Sequence, residues 1–175
     1  ALFTHTTGTQ NTAIGTYSSY AQTIGQYNTA LGYNTLAALT SGVNNTALGR
    51  SALAANTTGE RNVAVGYGAL NANTTASDNI AIGFCALGVG VVTGIDNIAI
   101  GTTAMDALTT GFCNIAIGTN ALGASTTGCQ NIAIGNQALA GATTGNDNIA
   151  LGTTAADALL SGACNIAVGL NALGA

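Results

Sequence analysis

The pentapeptide Asn-x-Ala-x-Gly begins at Asn11, Asn28, Asn45, Asn62, Asn79, Asn97, Asn114, Asn131, Asn148 and Asn165. Successive copies lie 17 residues apart, except between Asn79 and Asn97, where the step is 18. Helical solenoids use ~33–47 residues per unit, and 17 cannot hold two helices and two turns. Gly in every unit and aliphatics such as Ile115 and Ile117 around the Ala also oppose helix. Alternation over Asn-x-Ala-x-Gly suits a short strand, with the second and fourth residues on one face and Ala on the other. The predicted architecture is all-β: a parallel β-solenoid of about ten 17-residue turns.

Columns are numbered here from each Asn. Column 3 is Ala and column 5 Gly in all ten repeats, and column 4 is always Ile, Leu or Val. Columns 8 and 9 are mostly Ala-Leu, and columns 13 to 15 are Thr-Thr-Gly or close to it. A second short strand near the Ala-Leu or the Thr-Thr pair is expected to complete the coil, with Gly at columns 5 and 15 freeing the turns. Stacking at ~4.8 Å per turn makes a rod on the order of 50 Å long. Equal columns then stack on themselves. The Asn column becomes a ladder of side-chain amides, or each Asn simply takes a turn conformation it tolerates well.

Composition agrees with a thin interior. There is no Trp, only eight Phe or Tyr, and 47% hydrophobic residues, so the apolar content is mainly Ala, Ile, Leu and Val. Large aliphatics at column 4 and Leu at column 9 are expected to fill the coil. Column 3 then faces outward, as an apolar strip that a soluble rod seldom leaves bare. Ala64, Ala81, Ala99, Ala116, Ala133 and Ala150 become the candidate subunit interface. On that reading Ala116→Glu breaks association, and Ile117→Glu breaks the fold.

These columns resemble known families. The Asn-x-Ala-Ile-Gly core resembles the head repeats of trimeric autotransporter (YadA-like) adhesins. The fuller unit, Asn45-Thr46-Ala47-Leu48-Gly49 through Asn56-Thr57-Thr58-Gly59, resembles 17-residue repeats of bacteriophage tail fibres and bacterial surface fibres. The resemblance covers the whole chain. It implies a left-handed parallel β-roll in each of three chains side by side, and a role in contacting or presenting modules to a host surface. It supplies no catalytic residues. The adhesin-head repeat is shorter than 17 residues, so the resemblance points to an extracellular trimeric fibre of either origin.

Chemistry has few places to reside. Arg50 and Arg61 are the only basic side chains apart from His5, and the net charge is −4, so no basic stripe exists for nucleic acid. No apolar run approaches the ~20 residues of a membrane helix. His5 is the one His and reads as a turn residue, since one His builds neither a triad nor a His-based metal site. Asp78, Asp96 and Asp147 in column 17, with Asp106 and Asp157 in column 10, read as turn formers, without the nonapeptides of calcium-binding β-rolls. No cofactor, metal site or enzymatic activity is expected.

Column 6 is the most suggestive surface. It carries Tyr33, Arg50, Tyr67 and Phe84 on successive turns, so stacking sets Arg50 between two Tyr rings. This candidate contact surface serves a cell-surface glycan or protein, or packs between subunits. Cys113 and Cys129, in columns 17 and 16 of adjacent turns, are a candidate disulfide if stacking brings their Cα atoms to ~4.4–6.8 Å. Cys85 and Cys164 read as small buried fillers. Asn44-Asn45-Thr46, Asn56-Thr57-Thr58 and Asn73-Thr74-Thr75 match the glycosylation pattern, as chance allows in such a chain.

The chain is expected to be one solenoid segment over residues 1–175, with partial repeats at 1–10 and 165–175, cut from a longer fibre. The first functional expectation is a non-enzymatic structural and adhesive segment of an extracellular homotrimeric fibre, on a cell surface or virion. The alternative is a solenoid joined end to end into an extracellular filament or biofilm matrix fibre. A remote third is an ice-binding solenoid using Thr columns 13 and 14, although neighbouring Thr residues alternate faces in a strand.

Overall fold

The computed structural model describes residues 6–141 and 144–174. His5 lies outside them. Among the described residues there is no helix; ten three-residue strands, from β1 (Thr12–Ile14) through β7 (Ile115–Ile117) to β10 (Ile166–Val168), form one parallel sheet in chain order. Columns pair with themselves throughout: Ala99 with Ala116, and Ile117 with Ile134. The 18-residue step leaves this intact, since Ala81 pairs with Ala99. The chain is a β-solenoid of stacked coils with one strand per coil.

The expected second strand is absent among the described residues. Left-handed residues take its place. Column 7 (Asn120, φ 55°), column 9 (Leu122, φ 51°) and column 17 (Gln130, φ 58°) repeat this in coil after coil, together with the column 5 Gly (Gly118, φ 136°). Alternating positive and negative φ curls the backbone too tightly for a strand, yet its polar groups still pair between coils. Asn120 N–H donates to Thr102 O at 2.9 Å, Leu122 N–H to Ala138 O at 3.0 Å, and Gln130 N–H to Phe112 O at 3.0 Å. Each left-handed non-Gly residue costs ~1–2 kcal/mol, offset by these pairings and by burial of Leu. Pro, which has no N–H and a fixed negative φ, fits few positions in such a coil; the sequence contains none.

Gly has two separate duties. At Gly118, φ lies in the region L side chains avoid, and a Cβ would collide with Gly135 O. Column 15 does not need that freedom: Gly25 takes no left-handed φ, but a Cβ there would meet Gly42 O at 2.6 Å. Close stacking, not turn geometry, selects Gly in column 15. Ala76 shows that a methyl is accommodated in one coil.

The interior reverses the expected faces. Every Ala of column 3 from Ala30 to Ala150 is 0% exposed, including Ala64, Ala81, Ala99, Ala116, Ala133 and Ala150. These residues therefore form no subunit interface. Column 4 points out: Ile14 is 58% and Ile117 37% exposed, while Val65, Ile100 and Leu151 are half-buried. The reason is volume. Leu at column 9 enters from the opposite corner, as expected, and with the column 12 side chains, such as Leu39 and Leu108, it fills the narrow coil. Only a methyl fits beneath the strand, so Ala goes in and the branched aliphatics go out.

The extra residue of the long coil is absorbed between Leu87 and Thr93. Val89 and Val91 turn outward there, while Val92 drops into the core.

Candidate functional site

Column 1 is an amide ladder, joined at every step by the backbone N–H of the next Asn and, except between Asn62 and Asn79, by its Nδ2 as well. Asn114 Oδ1 accepts from Asn131 N–H at 3.0 Å and from Asn131 Nδ2 at 3.2 Å, and Asn114 Nδ2 donates to Gly128 O at 2.8 Å. The pattern crosses the long coil, where Asn97 Nδ2 donates to Asn79 Oδ1 at 3.1 Å. Asn is thus a ladder residue. The left-handed turn belongs to column 17 before it, where Asp78, Asp96 and Asp147 sit at φ 62°, 58° and 58°.

Burial decides which sequons are accessible. Asn56 and Asn73 are fully buried and their amides bond Gly59 O and Ala76 O at 3.1 Å. Of the three acceptor tripeptides only Asn44 is exposed.

The polar surface follows the same stacking. Arg61 grips Asp78 of the next coil with Nε–Oδ1 at 2.6 Å and a second arm at 2.9 Å, and reaches Glu60 at 2.8 Å. Hydrogen bonding to Arg61 holds the Asp78 carboxyl below its usual range, and Asp78 in turn raises the Arg61 guanidinium. Burial raises Asp106, and burial with the nearby Asp106 charge raises the Cys85 thiol. No three His, Cys, Asp or Glu residues group to hold a metal among the described residues.

The cysteines do not pair: Cys85, Cys113, Cys129 and Cys164 are all free. Register explains the expected bridge's failure. Cys113 stands opposite Gln130, Cys129 opposite Phe112, and the Cys129 thiol donates instead to Thr127 O at 3.3 Å. Cys164 is exposed and Cys85 half-buried, so neither fills the core. Column 13 hydroxyls are largely occupied in the stack: Thr40 and Thr57 Oγ1 donate to the carbonyls of Thr57 and Thr74 at 3.1 and 3.0 Å.

Column 6 assembles as its sequence suggests. The Arg50 guanidinium carbon lies 5.7 Å from the Tyr33 ring centre and 5.5 Å from that of Tyr67. Tyr67 stacks on Phe84 at 5.2 Å and 9°. The sequence reading missed Tyr17, which stands in column 7 and meets Tyr33 edge-on at 5.9 Å and 79°. All five side chains remain half exposed along one corner. Comparison with protein-family models, curated proteins and solved structures returns no match. The geometry alone therefore bears on what the corner does.

Two other surfaces were not foreseen. The sheet's outer face is a double row of side chains from columns 2 and 4; column 4 is aliphatic throughout, and column 2 becomes so from Val63 onward. A shallow groove of ≈ 380 Å³ lies beside the long coil, lined by Thr93, Gly94, Ile95, Asp96, Thr110 and Phe112. Both depend on which columns turn outward, which the strand alternation leaves open. Among the described residues no helix is long and apolar enough to cross a membrane.

Proposed function

We propose that the chain is a non-enzymatic structural segment of an extracellular homotrimeric fibre that contacts, or carries binding modules to, a cell surface. The observation carrying this reading is the outer face of the sheet. Two side chains from each of ten strands, each leaving roughly 50 Å² outside, make a mostly aliphatic face on the order of 1,000 Å². The largest apolar patch of a typical monomer is ~300–600 Å², while a standard interface buries ~800 Å² per partner. A straight, repetitive face of that size matches a copy of itself across a symmetry axis. The resemblance of the Asn-x-Ala-Ile-Gly unit to adhesin heads and tail fibres supports three copies and an extracellular setting.

Sedimentation equilibrium tests the reading. A species near three times 16.9 kDa is expected. The double variant Ile117→Glu/Ile134→Glu, on the outward column, is expected to sediment as a monomer with its β circular dichroism intact. Ala116→Glu, in the core, is expected to lose the fold instead. A wild-type chain that stays at 16.9 kDa at tens of micromolar would overturn the proposal, as would an oligomer that survives the double substitution.

A further inference from the structure

Arg50 is unusual in being held firmly and used for nothing within the chain. Its guanidinium lies between the Tyr33 and Tyr67 rings, at 5.7 and 5.5 Å. Both ion pairs among the described residues belong to Arg61, and Arg50 has no hydrogen-bond acceptor among them. No acidic residue occupies columns 5 to 7 in any coil. Arg50 is the one Arg without an acidic partner in a chain of net charge −4.

The stacking also restricts how a ligand approaches. Arg50 lies over a face of Tyr33 and of Tyr67, Phe84 stacks on Tyr67, and Tyr17 and Tyr33 meet at a steep angle. A neutral sugar that would lie flat on Tyr67 finds both of its faces taken, and on Tyr33 one face. The outer edges remain, with a fork of guanidinium N–H donors between two phenols. A planar fork held by aromatic faces matches a carboxylate bidentately and loses little freedom on binding.

An acidic peptide is the poorer occupant. The carbonyls of Tyr33, Arg50 and Tyr67 already accept the amides of Ser51, Gly68 and Cys85 at 2.9, 3.0 and 2.9 Å. An extended peptide therefore finds no free main-chain acceptor at this corner. A hydroxyl-rich chain with one carboxylate per unit needs none, and the phenol hydroxyls can serve its hydroxyl groups. We propose that Tyr33, Arg50 and Tyr67 form a carboxylate-binding site that takes a uronic-acid residue of an acidic polysaccharide. This deepens the surface-contact part of the reading above but does not depend on the oligomer, because the corner lies outside columns 2 and 4.

Calorimetric titration of the intact chain with a galacturonate hexamer tests the site, with a neutral galactose hexamer and a glutamate hexapeptide as comparisons. Binding to the uronate alone is expected. Arg50→Gln is expected to weaken it at least tenfold, and Arg50→Lys to restore little, since an ammonium lacks the planar fork. Equal binding of the neutral hexamer or the peptide overturns the proposal, as does an Arg50→Gln chain that binds like wild type. Sedimentation of the same samples separates the two readings: a wild-type chain that sediments as a trimer but does not bind the uronate hexamer sinks the site alone.

Discussion

Asn114 shows what one side chain does in a stack. Its amide accepts twice from Asn131 and donates to Asn97 Oδ1 and Gly128 O, all in a buried column. Each bond contributes ~1 kcal/mol net, but an orphaned buried partner costs ~1–3 kcal/mol. Asn114→Ala strands several at once and is expected to lose roughly 3 kcal/mol or more in urea unfolding. Asp106 acts in the opposite sense. Its native pKa is raised by burial, so the fold favours the protonated acid. Stability is therefore lost as pH rises from the ordinary ~3.9 through the raised native value. Asp106→Asn removes that loss: in thermal melts it should match the wild type below pH ~3 and exceed it at neutral pH.

Each coil is an element that buries little by itself. Its core is one Leu, two Ala and a column 12 side chain, so the coil depends on the neighbours above and below. Leu122, left-handed and fully buried, is the largest of these in its coil. Leu122→Ala is expected to cost ~2–5 kcal/mol. Because coils are coupled through the ladders, the loss should lower one cooperative unfolding transition and not melt a single coil, a distinction that hydrogen exchange reads directly. Column 12 is tolerant by comparison: Gln22, Leu39, Asn56, Asn73 and Ser125 all occupy it buried. Asn56 and Asn73 can do so because each carbonyl oxygen accepts the amide three residues on, from Gly59 at 3.0 Å and Ala76 at 3.1 Å.

For the whole molecule, ten strands at ~4.8 Å per step give a rod on the order of 45 Å long, with different surfaces on its sides. The apolar sheet face, the aromatic–Arg corner and the groove at Thr93 run along distinct columns, so each can be altered alone. Small-angle scattering should find the length of the rod unchanged by Ile117→Glu/Ile134→Glu while its cross-section shrinks. An unchanged cross-section would count against side-by-side assembly.

Much of this was legible in the residues because a short exact period is a statement about neighbours. Seventeen-residue spacing put Asn beside Asn and Arg50 between Tyr33 and Tyr67 before any coordinates. The stack, its register and both ladders follow from that. Alternation over Ile115, Ala116 and Ile117 established two faces but carried no label for inside, since a period of two reads the same from either side. Only the tertiary structure settled it. Left-handed corners at columns 5, 7, 9 and 17 fold the coil so tightly that Leu122 reaches across to the strand, leaving space under it for a methyl and none for isoleucine. The same offset of one column that the spacing of Cys113 and Cys129 left unresolved became, in the coil, two free thiols. Periodicity determines which residues meet along the rod; the closure of the coil decides which way they point.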